Sequence, residues 1–508
     1  MNFIDALLNR YTMYRVVLYE LIALFFVALI LSAMGVLPVQ PLMLLFSLAC
    51  ITMLCWAANV FFSLSFKAPT NVESFIITAL ILVFLITPPQ SMGDGTYLEI
   101  ACWASIWAMA SKYIFAIGRK HIFNPAAFGV ALTALTLNQS ASWWIGTFPM
   151  MPFVLAGGLL IVRKTQRFDL FWAFIVTAVV AIIGTRITDV AALGGIVWNV
   201  LTVTPVLFFA TVMLTEPLTM PSKRTLRVLY GVIVGILFAP WIHIGTFYFT
   251  PELALLLGNV YVYIVSPKQK LLLILRKKLR VASGIYDFWF QSSETLAFLP
   301  GQYLEWTLGH DRPDARGNRR SFTISSSPTE DGIAMGVRFY EKSSTFKQRL
   351  LALEPGDSII ASQLAGEFTL PKNTGERLVF IAGGIGVTPF RSMIKNMLDR
   401  NDRRPVTLFY SNKRTEDIAY RDVFDTARKR IGTDVIYTLT DPSAIPSDWK
   451  GETGRVDENM IRRWVQECEE CHYYLSGTHD MVIGTQRTLR NMDVPRHRIT
   501  TDFFPGFA

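Results

Sequence analysis

The sequence predicts an α-helical polytopic membrane half, followed by a half of strands and then of strands alternating with helices, a pattern that gives a parallel sheet. Three observations predict it. Apolar runs of membrane-crossing length recur through the first 266 residues and then stop. Lys and Arg fall in every second loop between those runs. From about residue 280 the composition turns ordinary and charged, and short strand-like runs punctuated by glycine turns take over.

A length of 508 residues predicts two to four domains. With 52% hydrophobic residues, 36 Phe and a mean hydropathy of +0.36, the chain is more apolar than soluble proteins are. Runs at 14–36, 40–66, 71–89, 96–116, 124–138, 143–163, 168–185, 193–214, 228–248 and 250–266 predict about ten spans of a hydrocarbon layer roughly 30 Å thick. The fifth and tenth are short. Lys67, then Lys112 with Arg119 and Lys120, then Arg163, Lys164 and Arg167, then Lys223, Arg224 and Arg227 occupy alternate loops, and the others hold only Arg186. The positive-inside rule then puts both termini in the cytosol of a multi-pass protein of the plasma (inner) membrane, in contact with lipid. The same loops account for the formal charge of +9, so nucleic acid is not an expected partner. The first run follows Arg10 and Arg15 without a small-residue cleavage site and reads as a retained span.

Five cysteines give no disulfide framework. Cys468 and Cys471 form a CxxC without a second ligand pair, so no metal is expected. Of six histidines only His243 falls in an expected span, which makes a bis-His haem a poor candidate for a membrane electron carrier. Glu20 and Glu216 are the intramembrane acids that suggest function, although Glu216 beside Pro217 also suits the cap of a broken helix.

A weak internal repeat runs through this half. Leu85-Ile86-Thr87-Pro88-Pro89 corresponds to Met213-Leu214-Thr215-Glu216-Pro217, and Phe123-Asn124-Pro125 to Phe249-Thr250-Pro251. Five spans separate the members of each pair, so the copies would be inverted, as in transporters. Thr-Pro and Asn-Pro also punctuate helix ends without any repeat. Asn124-Pro125-Ala126-Ala127-Phe128-Gly129 and Thr215-Glu216-Pro217 resemble the membrane subunit family shared by the sodium-pumping NADH:quinone reductase and the Rnf electron transport complex, over about 70–265. That resemblance implies partner membrane subunits and an FMN on a Thr of a Ser-Gly-Ala-Thr-like motif. The chain lacks the motif, which leaves a non-covalent FMN or riboflavin.

In the second half, Val281 to Gln291 and Tyr303 to Leu308 read as strands around Pro300-Gly301-Gln302. In the strand Arg320-Ser321-Phe322-Thr323, alternation puts Arg320 and Phe322 on one face and Ser321 and Thr323 on the other. A guanidinium for phosphate, an aromatic for a ring and a hydroxyl for its edge suit a flavin. Met335–Tyr340 leads into Ser343-Ser344-Thr345 and a helix through Leu351, a start that suits a pyrophosphate and equally an ordinary N-cap. The strand Leu378–Ala382 runs through Gly383-Gly384-Ile385-Gly386-Val387-Thr388-Pro389 into a helix, which brings backbone amides close to a dinucleotide. Strands follow at Val406–Tyr410, Val435–Leu439 and Tyr473–Leu475, the last ending in Ser476-Gly477.

The ordered set Arg320–Thr323, Gly383–Pro389, Leu475–Val482 and Asp502–Phe507 resembles the ferredoxin–NADP reductase-like family across about 280–508. The resemblance implies an antiparallel six-stranded β-barrel holding FAD over 281–371, after a basic linker at 267–280. An α/β parallel-sheet NAD(P)-binding lobe would follow over 372–508. It assigns Arg320 to the FAD phosphates, Phe322 to the isoalloxazine face, and Thr323, with Ser321 on its strand face, to the reactive edge. Ser344 and Thr345 would hold the FAD pyrophosphate. Gly383, Gly384, Gly386, Thr388 and Pro389 would hold that of NAD(P)H. Ser476 and Gly477 stand where many members have Cys-Gly, and Phe507 either covers the flavin or packs the C-terminus. Lys413 and Arg414 suit a 2′-phosphate or a solvated loop, so NADH and NADPH both stand. The expected function is electron transfer from cytosolic NAD(P)H through FAD into the membrane half, and on to a quinone or extracytosolic acceptor. The alternatives are a transporter or channel fused to a reductase, and a reductase merely tethered to the membrane.

Overall fold

A computed structural model describes residues 3–8, 11–67, 72–117, 120–184, 193–221, 223–245, 247–266, 271–292, 294–310, 314 and 318–504. The chain divides into a helical unit, Ile4–Lys268, and a unit of sheets and helices, Gln269–Ala508.

The helical unit begins with α1 (Phe3–Leu8), α2 (Met13–Ala33) and α3 (Pro41–Phe66). Then come α4 (Val72–Leu85), α5 (Gly95–Ile114), α6 (Pro125–Leu137), α7 (Met151–Thr165) and α8 (Phe168–Ile183). The series closes with α9 (Leu193–Val203), α10 (Val206–Phe208), a π-helical stretch Phe209–Met213, α11 (Arg224–Leu237) and α12 (Pro251–Val265). The caps are written in the sequence. The Thr12, Asp94 and Asn124 side chains accept from Arg15 N, Tyr97 N and Ala127 N at 3.1 Å each, and Pro opens α3, α6 and α12.

The expectation of about ten spans is not met. Among the described residues two helices, α2 and α3, are long and apolar enough to cross a membrane. A third is added if Gly194–Val203 and Val206–Met213, bent by 66°, count as one broken span. The apolar α4, α6, α8 and α12 are shorter. In several of the runs the physical reason is proline. The apolar runs continue through Thr87-Pro88-Pro89, Thr204-Pro205 and Pro240, where the helical hydrogen-bond ladder cannot. His243, expected in a span, lies exposed in a hairpin.

One order of elements occurs twice. In the first copy, α4, a Pro-containing turn and α5 lead to the hairpin β1 (Ala116–Ile117) and β2 (Lys120–His121), then to Asn124-Pro125 and α6. In the second, α10 with its π stretch, a Pro-containing turn and α11 lead to the hairpin β3 (His243–Ile244) and β4 (Phe247–Tyr248), then to Thr250-Pro251 and α12.

The second unit opens with an antiparallel sheet of six strands. These are β5 (Leu271–Ala282), β6 (Ile285–Ser292), β7 (Tyr303–Thr307), β8 (Arg319–Thr323), β9 (Ile333–Arg338) and β10 (Ser358–Ala365), in the order β8-β7-β10-β5-β6-β9. A bridge between Ile324 and Met335 brings the edges together as a barrel. Leu273, Leu275, Phe288, Phe290, Trp306 and Met335 fill it, and Phe346 and Leu350 of α13 (Thr345–Leu351) pack against them. The stretch expected as a basic linker to residue 280 is strand from Leu271 on. Leu271, Leu273 and Leu275 alternate inward beneath the charges. The single strand expected over 281–291 is the end of β5 and the whole of β6, separated at Gly284, whose φ is +64°.

The α/β lobe is a parallel sheet ordered β14-β13-β12-β11-β15-β16. Its strands are β11 (Leu378–Gly383), β12 (Val406–Asn412), β13 (Asp434–Leu439), β14 (Glu452–Thr453), β15 (His472–Thr478) and β16 (Ile499–Phe504). Helices α14 (Thr388–Arg400), α15 (Arg421–Ile431), α16 (Glu458–Trp464) and α17 (His479–Asn491) complete it. Phe380 and Tyr474 belong to one core, and Ile381, Tyr473 and Leu475 to another. The sheet is therefore covered on both faces, as parallel sheets require. Chain order reverses between β11 and β15, so their carboxyl ends flank the switch point at which such sheets take ligands.

Barrel and lobe meet tightly. A Cβ built on Gly336 of β9 would lie 2.3 Å from the Tyr420 hydroxyl and 2.8 Å from Thr388 Cγ2. Gly336→Ala should destabilise this unit by about 1–3 kcal/mol, read as a lower unfolding midpoint. In the double variant with Tyr420→Phe the two costs should be less than additive, because the methyl then meets no hydroxyl.

Candidate functional site

Strand β8 pairs with β7, with Arg320 opposite Trp306, Phe322 opposite Leu304 and Thr323 opposite Tyr303. The Arg320 guanidinium stands 5.1 Å from the Phe346 ring centroid, and the Phe322 ring stands 6.1 Å from the same ring. The two thus share a face, as alternation requires. Arg320 also reaches Asp314 Oδ1 at 3.2 Å. Ser321 is exposed. Thr323 is 3% exposed, and its hydroxyl has no hydrogen-bond partner among the described residues. A buried hydroxyl left so costs about 1–3 kcal/mol unless a ligand completes it.

Ser344 and Thr345 are engaged within the protein. Ser344 caps α13 by accepting from Lys347 N at 3.3 Å. Thr345 Oγ1 accepts from Asp314 N at 3.0 Å and meets His310 Nε2 at 3.0 Å. The helix start is thus an N-cap, and a cap and a pyrophosphate site can coincide.

At the switch point, β11 ends in Gly383, Gly384 turns with φ +52°, and α14 begins at Thr388-Pro389. The glycines are there for close approach. A Cβ on Gly386 would lie 2.5 Å from Ser476 O and 2.6 Å from Gly477 Cα. One on Gly383 or Gly477 would meet Met481 Sδ at 2.5 or 2.6 Å. Thr388 Oγ1 donates to Ile385 O at 3.2 Å, which fixes the turn. Ser476 is fully buried, and its hydroxyl is also unpartnered among the described residues. Gly384 faces the barrel, where a Cβ would lie 3.6 Å from Arg338 Nη1.

The fold therefore gathers Gly383, Gly384, Gly386, Thr388, Ser476 and Gly477 at one end of the parallel sheet, with Arg320, Phe322 and Thr323 on one barrel strand. Phe507 lies outside the described residues. The Arg414 guanidinium already faces carboxylates, Glu416 at 3.6 Å and Asp441 at 3.9 Å. Two residues carried no role in the sequence reading. Met481 packs under the glycines, and Asp502 of β16 is the register partner of Ser476. Both sit inside quoted motifs, but strand pairing, which sequence does not reveal, gives them their place. Cys468 and Cys471 belong to the apolar core, and burial raises the Cys471 thiol to about 11.

In the helical unit the two quoted motifs meet. Glu216 accepts from Asn124 Nδ2 at 2.9 Å and Thr219 Oγ1 at 3.0 Å, and lies 3.2 Å from His121 Nε2. Asn124 N donates to Asn259 Oδ1 at 2.8 Å. Glu20 packs on α7, where a Cβ at Gly157 would overlap its carboxyl.

Residues 380–487 match the oxidoreductase NAD-binding domain family. The C-terminal unit is ferredoxin–NADP reductase-like. One subunit of the Na(+)-translocating NADH-quinone reductase of Idiomarina loihiensis is 28% identical over 202 residues, 37% of this chain and 49% of that one. Its counterpart in Neisseria meningitidis is 30% identical over 203 residues, again 37% and 49%. A flavohemoprotein of Rhodopirellula baltica is 26% identical over 245 residues, 46% and 59%. The chain thus spans about half the length of the curated relatives it matches. Among solved structures, the cytochrome b5 reductase domain of Ulva prolifera nitrate reductase superposes with a TM-score of 0.42 at 22% identity, covering 47% of this chain and 98% of that one.

Burial raises the Asp502 carboxyl to about 6, above the roughly 3.9 of an unfolded chain. Its contribution to stability is then complete below about pH 4 and lost as pH rises through about 6. Asp502→Asn should raise the unfolding midpoint near neutral pH and flatten its pH dependence between about 4 and 6. On the oxidoreductase reading proposed below, Thr323→Ala should leave the fold intact and lower the rate of NAD(P)H oxidation about tenfold, the equivalent of one hydrogen bond worth about 1.4 kcal/mol in the reacting complex. Stopped-flow absorbance beside thermal unfolding checks both halves of that statement.

Proposed function

We propose that this chain is a membrane-embedded, FAD-dependent NAD(P)H oxidoreductase that delivers electrons through its helical unit to a quinone or an extracytosolic acceptor. The observation that carries the reading is the pair of buried hydroxyls, Thr323 and Ser476, unpartnered among the described residues, in a unit that also has a glycine turn suited to a dinucleotide. The residues present fit both groups. Arg320 offers charge to the FAD phosphates, Phe322 an aromatic face to the isoalloxazine, and Thr323 a hydroxyl to its edge. Gly383, Gly384 and Gly386, with Thr388 and Pro389 behind them, leave room for the NAD(P)H pyrophosphate at the start of α14. Ser476 offers the nicotinamide a hydroxyl in a water-poor site. FAD, when bound, supplies two-electron uptake and one-electron release.

The membrane leg rests on two supports. The reductase unit is fused to a bundle that contains two or three helices fit to cross a bilayer, and its relatives include components of an Na(+)-translocating NADH-quinone reductase. The shorter apolar helices would complete a multi-pass bundle with cytosolic termini, its two copies of one element order inverted in the bilayer. A non-covalent flavin and partner membrane subunits belong to this reading. The repeat with its bent pair at Thr204-Pro205 also favours a second reading, a transporter with a reductase attached.

Liposomes enclosing an impermeant electron acceptor, with NADH or NADPH added outside, separate the two. Reduction of the trapped acceptor, lost in Arg320→Ala, is the expected result and reveals the preferred coenzyme. Turnover with external acceptors alone would refute the membrane leg and leave the transporter or a quinone site.

A further inference from the structure

The long strand β5 has apolar outward side chains that are exposed among the described residues. Leu272 and Ile274 alternate with the buried Leu271, Leu273 and Leu275, and are 53% and 48% exposed although β5 lies in the middle of its sheet. Their cross-strand neighbours continue the face. Leu272 stands opposite Ile360, and Ile274 opposite Gln291 and Ser358. Beyond a bulge, Lys277 pairs with Trp289 on the same side, its ammonium 5.1 Å from the indole centroid. Single exposed aliphatics mean little. Two on neighbouring outward positions of a central strand, next to cations, form an amphipathic surface.

The last apolar helix, α12, ends at Val265 and β5 begins at Leu271. Fully extended, the link reaches at most about 20 Å. Within 268–280 the sequence holds six Lys and Arg: Lys268, Lys270, Arg276, Lys277, Lys278 and Arg280. A basic cluster directly after a membrane helix is drawn to the negative surface potential of an anionic leaflet, and the attraction fades within a Debye length. Aliphatic side chains beside it can then enter the headgroup boundary.

We propose that the outer face of β5, centred on Leu272, Ile274 and Lys277, is a docking surface for anionic lipid that lays the reductase barrel on the cytosolic leaflet. This rests on the reading of α12 as a membrane helix with a cytosolic end. Strand geometry makes the surface rigid, whereas a basic linker would leave the barrel swinging. Docking would limit the orientations the flavin barrel takes above the bilayer.

The test uses the full chain in nanodiscs of phosphatidylcholine, with or without phosphatidylglycerol, and a nitroxide at Ile274→Cys. The same protein without that change supplies the background from native cysteines. With phosphatidylglycerol, the Ile274 label should gain accessibility to oxygen and lose it to a water-soluble nickel complex. A label at Lys429→Cys should remain aqueous. In phosphatidylcholine alone, or with Lys277→Glu and Arg280→Glu, the Ile274 label should return to water. A label that is aqueous in both lipids overturns the docking surface and leaves the membrane reading intact. Equal shielding in both lipids also overturns it, since the cover would then be the protein's own. Extraction of the protein from membranes by alkaline carbonate would overturn the membrane reading, and the docking surface with it.

Discussion

The Asp287 carboxylate, buried in β6 and held by the Tyr420 hydroxyl at 2.5 Å, is the contact on which the geometry of the reductase unit depends. Ser325 Oγ adds a longer bond at 3.4 Å. Beside it, the buried Arg391 guanidinium lies 5.6 Å from the Trp289 centroid and 5.8 Å from that of Tyr420. It donates to Ser325 O at 3.0 Å and to both oxygens of Glu330. Burial drives the Asp287 carboxyl up, and burial with the Asp287 charge drives the Tyr420 phenol well up. Burial alone would lower Arg391, but Glu330 reverses that and keeps it charged. Removing one member would strand a buried charge, at a cost of about 3–5 kcal/mol. Asp287, Trp289, Ser325 and Glu330 belong to the barrel; Arg391 and Tyr420 belong to the lobe. The network therefore sets the angle between two folds that apolar packing alone would hold less specifically.

From that angle the rest of the site follows. Tyr420 reaches Asp287 from a left-handed backbone conformation, φ +58°, at the start of α15. Gly336 leaves the space its hydroxyl crosses. The same approach sets Thr388, at the end of the glycine turn, against β9, and Arg338 of β9 near Gly384. Arg338 also pairs with Asp417 at 2.9 Å, a second tie across the boundary. Barrel and lobe are thus tied by buried polar contacts at more than one point along their boundary.

Little of that network is legible in the sequence. Tyr420 and Asp287 lie 133 residues apart, and Arg391 and Glu330 lie 61 apart. None falls in a short motif. What is legible is local. Strands β12, β13 and β15 are runs of β-branched and aromatic residues between turns, and the structure extends the expected ranges by three residues at most at either end. The face shared by Arg320 and Phe322 follows from the period of a strand. The beginning of the barrel is misread because six cations in thirteen residues outweigh the alternation of Leu271, Leu273 and Leu275. The spans are overcounted in part because hydropathy averages across prolines that the backbone does not tolerate within a helix. Asp502 and Met481 gain their meaning only from the pairing of β15 with β16 and of the glycine turn with α17.

The broken helices of the first unit obey the same rule of polar satisfaction as the reductase network. A helix that stops inside an apolar bundle leaves carbonyls that lipid cannot satisfy. Where α4 stops at Leu85, its carbonyl accepts from Ser142 N at 2.9 Å and Trp143 N at 3.1 Å, and Val83 O accepts from Trp144 Nε1 at 2.7 Å. Near the π stretch, Glu216 gathers Asn124 and Thr219 as donors, with His121 in reach, and Asn259 receives the amide that opens α6. Close approach makes this possible. Gly157 and Gly158 of α7 leave no room for a Cβ beside Glu20 and Thr211. The end of α4 and the start of α6 are thus closed by side chains and amides from neighbouring segments. That is the condition under which short helices remain compatible with a membrane.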